Sequence, residues 1–425
     1  MVSYWKEEGA VMNKAIVFNA FFNGLGVIRA LGQNNIPVLV LDGNRRAVGR
    51  YSKYTEDFKV VTSPEVNEEK FVEQLLALGK RLVEKAVLFP TNDVWSIAVS
   101  KYKHELEKYF LTYNPDYPVI DNIIDKRKFY RITSEIGFRV PKTYDINSYS
   151  DIERYRTDFQ YPLVLKPISR MNTNRKSSES ELYNVNRIIF INSFDELLKY
   201  KDLLAKYDFL IQQKIEGLSD NMFTVGIYAD RNSNVRGVFC GRKVRGYPID
   251  FGDCIAGESL WVDELVEESK KLVKALKYTG IAEIEYKYDI LDHNYYLIEM
   301  NPRTWSWIGI TPKVGVNLPL LAYKDMIGKE IPQYVEMDKT KRVLWTRSID
   351  DRYYCVKKYY AGAGNKDFPE SVEEWEEKLK EYDSVVYADL DPEDPKPGIK
   401  WMRHVRLRKL KDFAKSLITK RQGKA

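Results

Sequence analysis

The acidic residues of one short segment have the types and spacing that bind a divalent cation. Residues 281–290 and 295–303 are predicted to form the two strands of a hairpin, and the second ends in the sequence Glu-Met-Asn-Pro-Arg. Side chains alternate between the two faces of a strand, so Glu285 lies on the polar face of the first strand, while Glu299 and Asn301 share one face of the second. The hairpin therefore carries two carboxylates and one amide oxygen close together.

The register of this hairpin decides whether the two carboxylates meet. If Ile290 pairs with Asn294 across the turn, Glu285 lies directly opposite Glu299, with their Cβ atoms about 5 Å apart, and Leu297 shares the face of Glu299. Two carboxylates at this distance repel each other unless a cation neutralises them, and Mg²⁺ prefers one or two carboxylates together with phosphate oxygens. The alternative is an exposed hairpin with charges on its solvated face, since a one-residue shift of register puts the glutamates on opposite faces.

Three motifs, taken in order, resemble the nucleotide site of the ATP-grasp superfamily. Glu-Tyr-Lys at 285–287 followed by Glu-x-Asn-Pro-Arg at 299–303 resembles its metal-binding signature. The run YPLVLKP at 161–167 resembles its lysine-bearing strand, and LIQQKIEG at 210–217 resembles the hinge strand that holds adenine. The resemblance covers roughly residues 12–330 and is to the carboxylate–amine ligases, in the branch that includes D-aspartate ligase.

The resemblance implies a site for ATP and a divalent cation. It implies that Glu285, Glu299 and Asn301 hold Mg²⁺, or Mn²⁺ in its place, and that Lys126 and Lys166 reach the phosphates. The other residues to which it assigns a role are Gln213, Lys214 and Ile215 at the adenine, Asp220 at the ribose, Lys243 at the transferred phosphate or the acceptor carboxylate, and Arg303 at the acyl phosphate.

The reaction implied by the resemblance is the joining of a carboxylate to an amine. ATP activates the carboxylate as an acyl phosphate, and attack by the amine gives an amide, ADP and phosphate. The substrates implied are an amino acid or peptide, in cell-envelope synthesis of the peptidoglycan type or in natural-product synthesis. One alternative is an ATP-grasp carboxylase that uses bicarbonate, although the loop at 169–181 lacks the glycines found in some family members. Another alternative is a nucleotide-binding regulatory protein without catalytic activity.

The resemblance also implies how the chain is divided, in a mixed α/β and α+β fold. The expected domains are a Rossmann-like domain at 12–122, an ATP-grasp domain at 123–330 and a C-terminal extension at 331–425. Within the ATP-grasp domain, we expect the lysine subdomain at about 123–210 and the hinge and metal subdomain at about 211–330.

The sequence pattern of the first domain is typical of a βαβ unit. Strands are predicted at 14–18 and 36–42, with a helix at 24–32 between them. Asp42 ends the second strand, where a dinucleotide fold has a ribose-binding acid. The first glycine of the GxGxxG fingerprint is missing, however, which argues against a nicotinamide cofactor.

The C-terminal segment is strongly basic. Residues 400–425, predicted to form a helix, contain ten Lys or Arg and one acid, a net charge of +9, whereas the whole chain carries +6, so the residues before it sum to −3. This pattern predicts contact with an anionic membrane surface or another polyanion, and its alternative is a solvated helix packed on the body. Because the rest of the chain is not basic, a nucleic-acid partner is disfavoured.

Composition and termini indicate the class of protein. With 425 residues, 44% of them hydrophobic and 30% charged, the chain is long enough for two or three domains with separate cores. The chain has three cysteines without CxxC spacing, acids among its first eight residues, and no apolar run of about 18 residues. These features predict a cytoplasmic protein, which would be peripheral to the inner face of the membrane if the basic segment binds there. The sequence leaves monomer and oligomer open.

Overall fold

Three β-sheets follow one another along the chain and position the candidate site. The structure is a computed structural model, and it describes residues 12–144, 146, 149–168, 188–206, 209–247, 252–352 and 371–406. The predicted loop at 169–181 and the chain after 406 lie outside the described residues.

The first sheet has five parallel strands in the order β3-β2-β1-β4-β5. Its strands are β1 Ala15–Phe18, β2 Val38–Asp42, β3 Thr55–Val60, β4 Ala86–Phe89 and β5 Phe110–Leu111. The helices that accompany it are α1 Phe22–Gly32, α2 Glu68–Gly79, α3 Asp93–Lys101, α4 Lys103–Leu106 and α5 Tyr117–Ile124. The predicted βαβ start is therefore confirmed, and the four fully buried residues of β1 show why its sequence is continuously apolar.

The second sheet has four strands in the order β6-β9-β7-β8. Its strands are β6 Thr143–Tyr144, β7 Leu163–Pro167, β8 Ile189–Ile191 and β9 Phe209–Gln213. The helices in this part of the chain are α6 Lys126–Glu135, α7 Tyr149–Arg154, α8 Phe194–Leu198 and α9 Lys201–Lys206. Strands β7 and β9 pair antiparallel, so Lys166 lies opposite Leu210 and the lysine strand adjoins the hinge strand.

The third sheet has eight strands and carries the hairpin. Its order is β14-β13-β10-β11-β12-β16-β17, with β15 paired to β11. Its strands are β10 Met222–Ala229, β11 Val235–Tyr247, β12 Asp253–Ser259, β13 Gly280–Tyr288, β14 Tyr295–Asn301, β15 Val335–Glu336, β16 Val343–Thr346 and β17 Ser384–Tyr387. The helices are α10 Asp263–Ala275, α11 Leu318–Met326, α12 Ser348–Asp350 and α13 Val372–Leu379. The chain beyond residue 330 thus adds strands to the sheet of the hairpin.

The core of the third sheet contains two fully buried tryptophans, Trp305 and Trp307, which follow the hairpin directly. Gly226 in the middle of β10 makes room for one of them, because a Cβ at this position would lie 2.1 Å from a ring carbon of Trp305. The segment after the predicted metal ligands is therefore fixed by aromatic packing, and the end of β14 has little freedom to move.

The C-terminal part of the described chain is anchored to the first sheet by one buried carboxylate. Asp394 accepts hydrogen bonds from Arg29 Nε at 3.0 Å, Ser52 Oγ at 2.7 Å and the Lys53 backbone N–H at 2.8 Å. Residues 396–406 follow as a helix, on which Trp401 packs edge-on against Phe22, with ring centroids 5.5 Å apart.

The helices of the described part of the chain include none with the length and apolar character needed to cross a membrane.

Loss of the Asp394 carboxylate should destabilise the protein strongly. Asp394→Ala leaves the buried guanidinium of Arg29 with the longer ion pair to Asp391, at 3.6 Å, and we expect the free energy of unfolding to fall by roughly 3 kcal/mol. The matched control is Glu393→Ala at the exposed neighbouring position, for which a change within about 0.5 kcal/mol is expected. Chemical denaturation of the two variants measures both, and equal stability of the two would contradict the anchoring role.

Candidate functional site

The hairpin of the candidate site differs near its turn from the predicted register. Tyr288 pairs with Tyr295, and the backbone N–H of Asp289 donates to the carbonyl of Asn294 at 2.8 Å. The expected pairing of Ile290 with Asn294 is therefore wrong by one residue, because the two strands close one step earlier.

A β-bulge in β14 compensates for this difference. Tyr286 pairs with Leu297, but Glu285 pairs with Glu299, so Ile298 is the extra residue on its strand. Leu297 consequently faces the core, where it is 1% exposed, and the expectation that it shares a face with Glu299 is wrong. The predicted juxtaposition of the two glutamates is nevertheless confirmed, because the bulge reverses the alternation between Leu297 and Glu299.

Each of the two facing glutamates is approached by a lysine from a different element. Lys243 on β11 reaches across β10 and places its Nζ 2.7 Å from Glu285 Oε1. Thr224 on the intervening strand β10 pairs with Glu285. Lys126, the first residue of α6, places its Nζ 3.8 Å from Glu299 Oε2. The repulsion between the carboxylates is therefore countered by two cations.

Lys243 is charged despite its burial. Loss of water around it opposes the charged form, but the carboxylates of Glu285 and Glu283 outweigh that effect and raise the pKa of Lys243. With both partners only 12% exposed, the attraction between Lys243 and Glu285 is weakly screened by solvent.

Lys166 lies in a different environment from the other lysines. Its Nζ donates a hydrogen bond to the hydroxyl of Tyr130 at 2.9 Å, and that hydroxyl donates in turn to the carbonyl of Ile298 at the bulge. Burial lowers the pKa of Lys166 to about 8, even though the charges of Glu299 and Glu285 oppose this shift. Among the described residues, the carboxylates near Lys166 are too distant to form an ion pair with it. An anionic ligand would add negative charge that stabilises its ammonium group.

Glu283 is a residue of the site to which the sequence analysis assigned no role. It pairs with Asn301 across the hairpin, and Asn301 Nδ2 donates to its carboxylate at 3.1 Å. Burial, with the adjacent charge of Glu285 adding to it, raises the pKa of Glu283 to about 8. Strand alternation already placed Glu283 on the face of Glu285, but its burial could not be predicted from the pattern.

Arg303 is held in place on every side of its guanidinium. Its Nε donates to Asp93 Oδ1 at 2.7 Å, Nη2 to Asn301 Oδ1 at 2.9 Å, and Nη1 to the carbonyl of Thr304 at 2.9 Å. Asp93 begins helix α3 of the first sheet, so this contact joins the N-terminal part of the chain to the site. Asp93 lies just after strand β4, where polar residues often serve function, but nothing in the sequence pairs it with Arg303.

The predicted adenine and ribose residues lie on the hinge side of the site. Gln213 ends β9, and the backbone N–H of Lys214 donates to the carbonyl of Pro162 at 3.0 Å. Ile215 is buried at 4% exposure, and Asp220 lies half-buried in the turn Ser219–Asn221. Gln213 and Lys214 therefore lie beside the lysine strand. The roles of all four residues toward a nucleotide stay predictions.

The hinge also touches the far end of the hairpin. The backbone N–H of Glu216 donates to Asp289 Oδ2 at 3.3 Å, and that of Ile290 donates to the carbonyl of Glu216 at 3.3 Å. The hinge and the predicted metal ligands therefore belong to one connected piece of structure.

The donor set of the site suits a magnesium ion bound together with phosphates. The described part of the chain holds no group of three or more His, Cys, Asp or Glu side chains arranged to bind a metal ion by themselves. The predicted set of two carboxylates and one amide is smaller than such a group, and Mg²⁺ in nucleotide sites takes its remaining ligands from phosphate and water.

One family model matches the part of the chain that contains the hairpin. A model of the carbamoyl-phosphate synthase L chain, ATP binding domain, matches residues 259–332, which include both strands of the hairpin. D-aspartate ligase of Enterococcus faecium is 24% identical over 291 residues, 65% of this chain and 68% of that protein. The carbamoyl phosphate synthase large chain of Thermotoga petrophila is 22% identical over 274 residues, 62% of this chain but 23% of that protein.

Solved structures share the fold. N5-carboxyaminoimidazole synthetase from Staphylococcus aureus aligns with a TM-score of 0.60 at 14% identity, over 79% of this chain and 82% of the other. L-amino acid ligase from Bacillus licheniformis aligns with a TM-score of 0.56 at 17% identity, over 76% of each chain. This chain combines an N-terminal parallel sheet, a lysine strand beside the hinge strand, and a hairpin with facing glutamates. It is a member of the ATP-grasp superfamily.

Proposed function

We propose that this protein is an ATP-dependent ligase that joins a carboxylate to an amine. The observation that carries the proposal is the cross-strand pair of Glu285 and Glu299, with Lys243 and Lys126 directed at them. Paired carboxylates surrounded by lysines suit a ligand that carries both a metal ion and several phosphate charges. Neither a purely anionic nor a purely cationic ligand would use both halves of this arrangement.

Glu285, Glu299 and Asn301 are the residues that would hold Mg²⁺ in this proposal. A bound Mg²⁺ neutralises phosphate charge and helps to orient the triphosphate for attack. The fit rests on the closeness of the two carboxylates, while the amide oxygen of Asn301, which accepts from Arg303 Nη2 at 2.9 Å, keeps a second lone pair for the ion. Burial and the adjacent charge of Glu285 raise the pKa of Glu283 beside them, which opposes a third negative charge in the site.

Three lysines would bind the phosphates. Lys126 stands at the beginning of a helix, where backbone N–H groups also favour anions, and Lys166 is buried with a lowered pKa. Lys243 would exchange its bond to Glu285 for one to the transferred phosphate or the acceptor carboxylate. Binding of phosphates would raise the pKa of Lys166 toward its ordinary value, because it would add negative charge beside the buried ammonium group.

The proposed reaction has two steps. An oxygen of the substrate carboxylate attacks the γ-phosphorus of ATP, the bond to the β-phosphate oxygen breaks, and ADP leaves. The amine then attacks the acyl carbon, loses a proton, and expels phosphate to leave an amide. Arg303, held by Asp93 and Asn301, would supply a fixed positive charge that stabilises the acyl phosphate.

The substrate class we propose is an amino acid or a short peptide. The support is that D-aspartate ligase and L-amino acid ligase are both among the proteins similar to this chain. A phosphate-release screen with single amino acids and dipeptides, in pairs of carboxylate and amine, tests this class directly. Bicarbonate belongs in the same screen, because carboxylation by an ATP-grasp enzyme would then appear as bicarbonate-dependent release without an amine.

Removal of one metal-binding carboxylate should abolish turnover. We expect Glu299→Gln to lower ATP turnover at least about a hundredfold and to weaken Mg²⁺-dependent ADP binding, because the amide keeps the shape but loses the charge. The matched control is Glu264→Gln on the exposed surface of α10, which should behave as wild type. Amine-dependent ADP formation is the measurement, and wild-type turnover in Glu299→Gln would refute the assignment.

Loosening of Arg303 should affect the chemical step more than nucleotide binding. Asp93→Ala removes the acceptor of Arg303 Nε, so we expect kcat to fall roughly ten- to a hundredfold while the KM for ATP changes little. Steady-state kinetics separate the two constants. An unchanged kcat would show that Asp93 has no positioning role.

Replacement of Lys166 should stabilise the protein while it removes function. At pH 7 the buried ammonium costs stability, so Lys166→Met should raise the free energy of unfolding by roughly 1–3 kcal/mol and weaken ADP binding. The pKa is about 8 in the folded chain and 10.5 ordinarily, so between these values the unfolded chain binds more protons and wild-type stability rises with pH.

The advantage of Lys166→Met should therefore be largest below pH 8 and shrink as the pH approaches 10. Thermal unfolding at pH 7 and pH 10 measures this difference. Lys108→Met, at an exposed position, is the control and should show no such pH dependence. A variant that is less stable than wild type at pH 7 would contradict the proposed cost of burial.

A further inference from the structure

A basic surface forms where the C-terminal helix lies against the loop after β2. Its cations are Arg45, Arg46 and Arg50 from the loop, and Lys396, Lys400 and Arg403 from the helical residues 396–406. All six are exposed, and none of them makes an ion pair with a carboxylate of the described residues. The spacing of the three helical cations puts them on one solvent-facing side of the helix.

Two sets of contacts join the loop and the helix into one surface. Lys400 Nζ lies over the ring of Tyr51, 5.2 Å from its centroid, and the guanidinium of Arg50 lies 5.9 Å from the same ring. Arg50 Nη1 also donates to the carbonyl of Arg45 at 2.9 Å. Asp394 is bonded to the loop through the Lys53 backbone N–H at 2.8 Å, so the beginning of the helix is fixed beside it. The charge is therefore built from two segments more than 300 residues apart in sequence.

Apolar side chains accompany these charges. Ile399, beside Lys400, is 42% exposed, and Phe21 is 39% exposed where it packs on Trp401 at 5.1 Å. Cations mixed with exposed apolar groups are typical of surfaces that bind the interface of a membrane. A single-stranded nucleic acid would use an aromatic face for stacking, but the ring of Tyr51 is already contacted by Arg50 and Lys400.

We propose that this basic surface docks the protein on a membrane that contains anionic lipids. The residues before 400 sum to −3 even though they include the three loop arginines and Lys396, so net positive charge is concentrated at this surface and in the sequence that follows it.

Vesicle co-sedimentation with the full chain tests the proposal. Phosphatidylcholine vesicles with and without phosphatidylglycerol are compared, and we expect binding that requires phosphatidylglycerol and falls as salt is added. Arg45→Gln/Arg46→Gln in the loop and Lys400→Gln/Arg403→Gln in the helix should each weaken binding by roughly tenfold.

Two further variants make the test specific. Lys80→Gln/Lys108→Gln removes the same charge from exposed positions elsewhere on the N-terminal part of the chain and should bind as wild type. Ile399→Ser keeps the charge and should weaken binding to vesicles but not to a single-stranded RNA oligonucleotide. Thermal unfolding and ADP binding at wild-type levels show that each variant is folded.

Several results would overturn the proposal. If the loop variant binds vesicles as wild type does, the surface is not composed of both segments. If Ile399→Ser is without effect and the charge variants lose RNA and vesicles equally, the surface binds polyanions in general and not membranes. Absence of binding to phosphatidylglycerol vesicles at low salt would refute the proposal outright.

Discussion

The close approach of two carboxylates across one hairpin is the constraint around which the site is organised. Glu285 and Glu299 face each other because a bulge at Ile298 offsets the register that the turn would otherwise impose. Like charges directly opposite on a sheet destabilise it, so the arrangement requires cations close by. Lys243 and Lys126 supply them from two other elements, and this need explains why strands and helices of distant sequence converge on the same face of the hairpin.

The electrostatics of the site suit a ligand more than they suit the free protein. Burial pushes the pKa of Lys166 down and that of Glu283 up, so both groups move toward their neutral forms. Such shifts cost stability, and they cluster at functional sites because the charge of a bound ligand offsets the cost there. Arg303 is the exception, since the carboxylate of Asp93 already pairs with its charge and Asn301 helps to orient it. It is thus fixed before any ligand arrives, whereas Lys166 gains its partner from the ligand.

The sequence predicted the fold because three motifs occurred in the right order, and the hairpin because its alternation was regular. It predicted the pairing of Glu285 with Glu299 from a register that proved wrong near the turn, since a bulge leaves no clear mark in a single sequence. Asp93 and Arg303 are 210 residues apart, and only the packing of the first sheet on the third brings them together. Pair contacts of this kind depend on tertiary structure, which local patterns do not encode.

The chain beyond residue 330 is more closely integrated than a terminal extension would be. Strand β16 pairs with β12, and β17 with β16, so this region enlarges the sheet that carries the hairpin. Asp394 then binds Arg29 of α1, which returns the chain to the first sheet. A shift of the first sheet relative to the third would therefore strain a buried ion pair as well as the contact between Asp93 and Arg303. The first sheet is therefore tied by charged contacts at two separate points, through Asp93 to Arg303 at the end of the hairpin and through Arg29 to Asp394 in the C-terminal region.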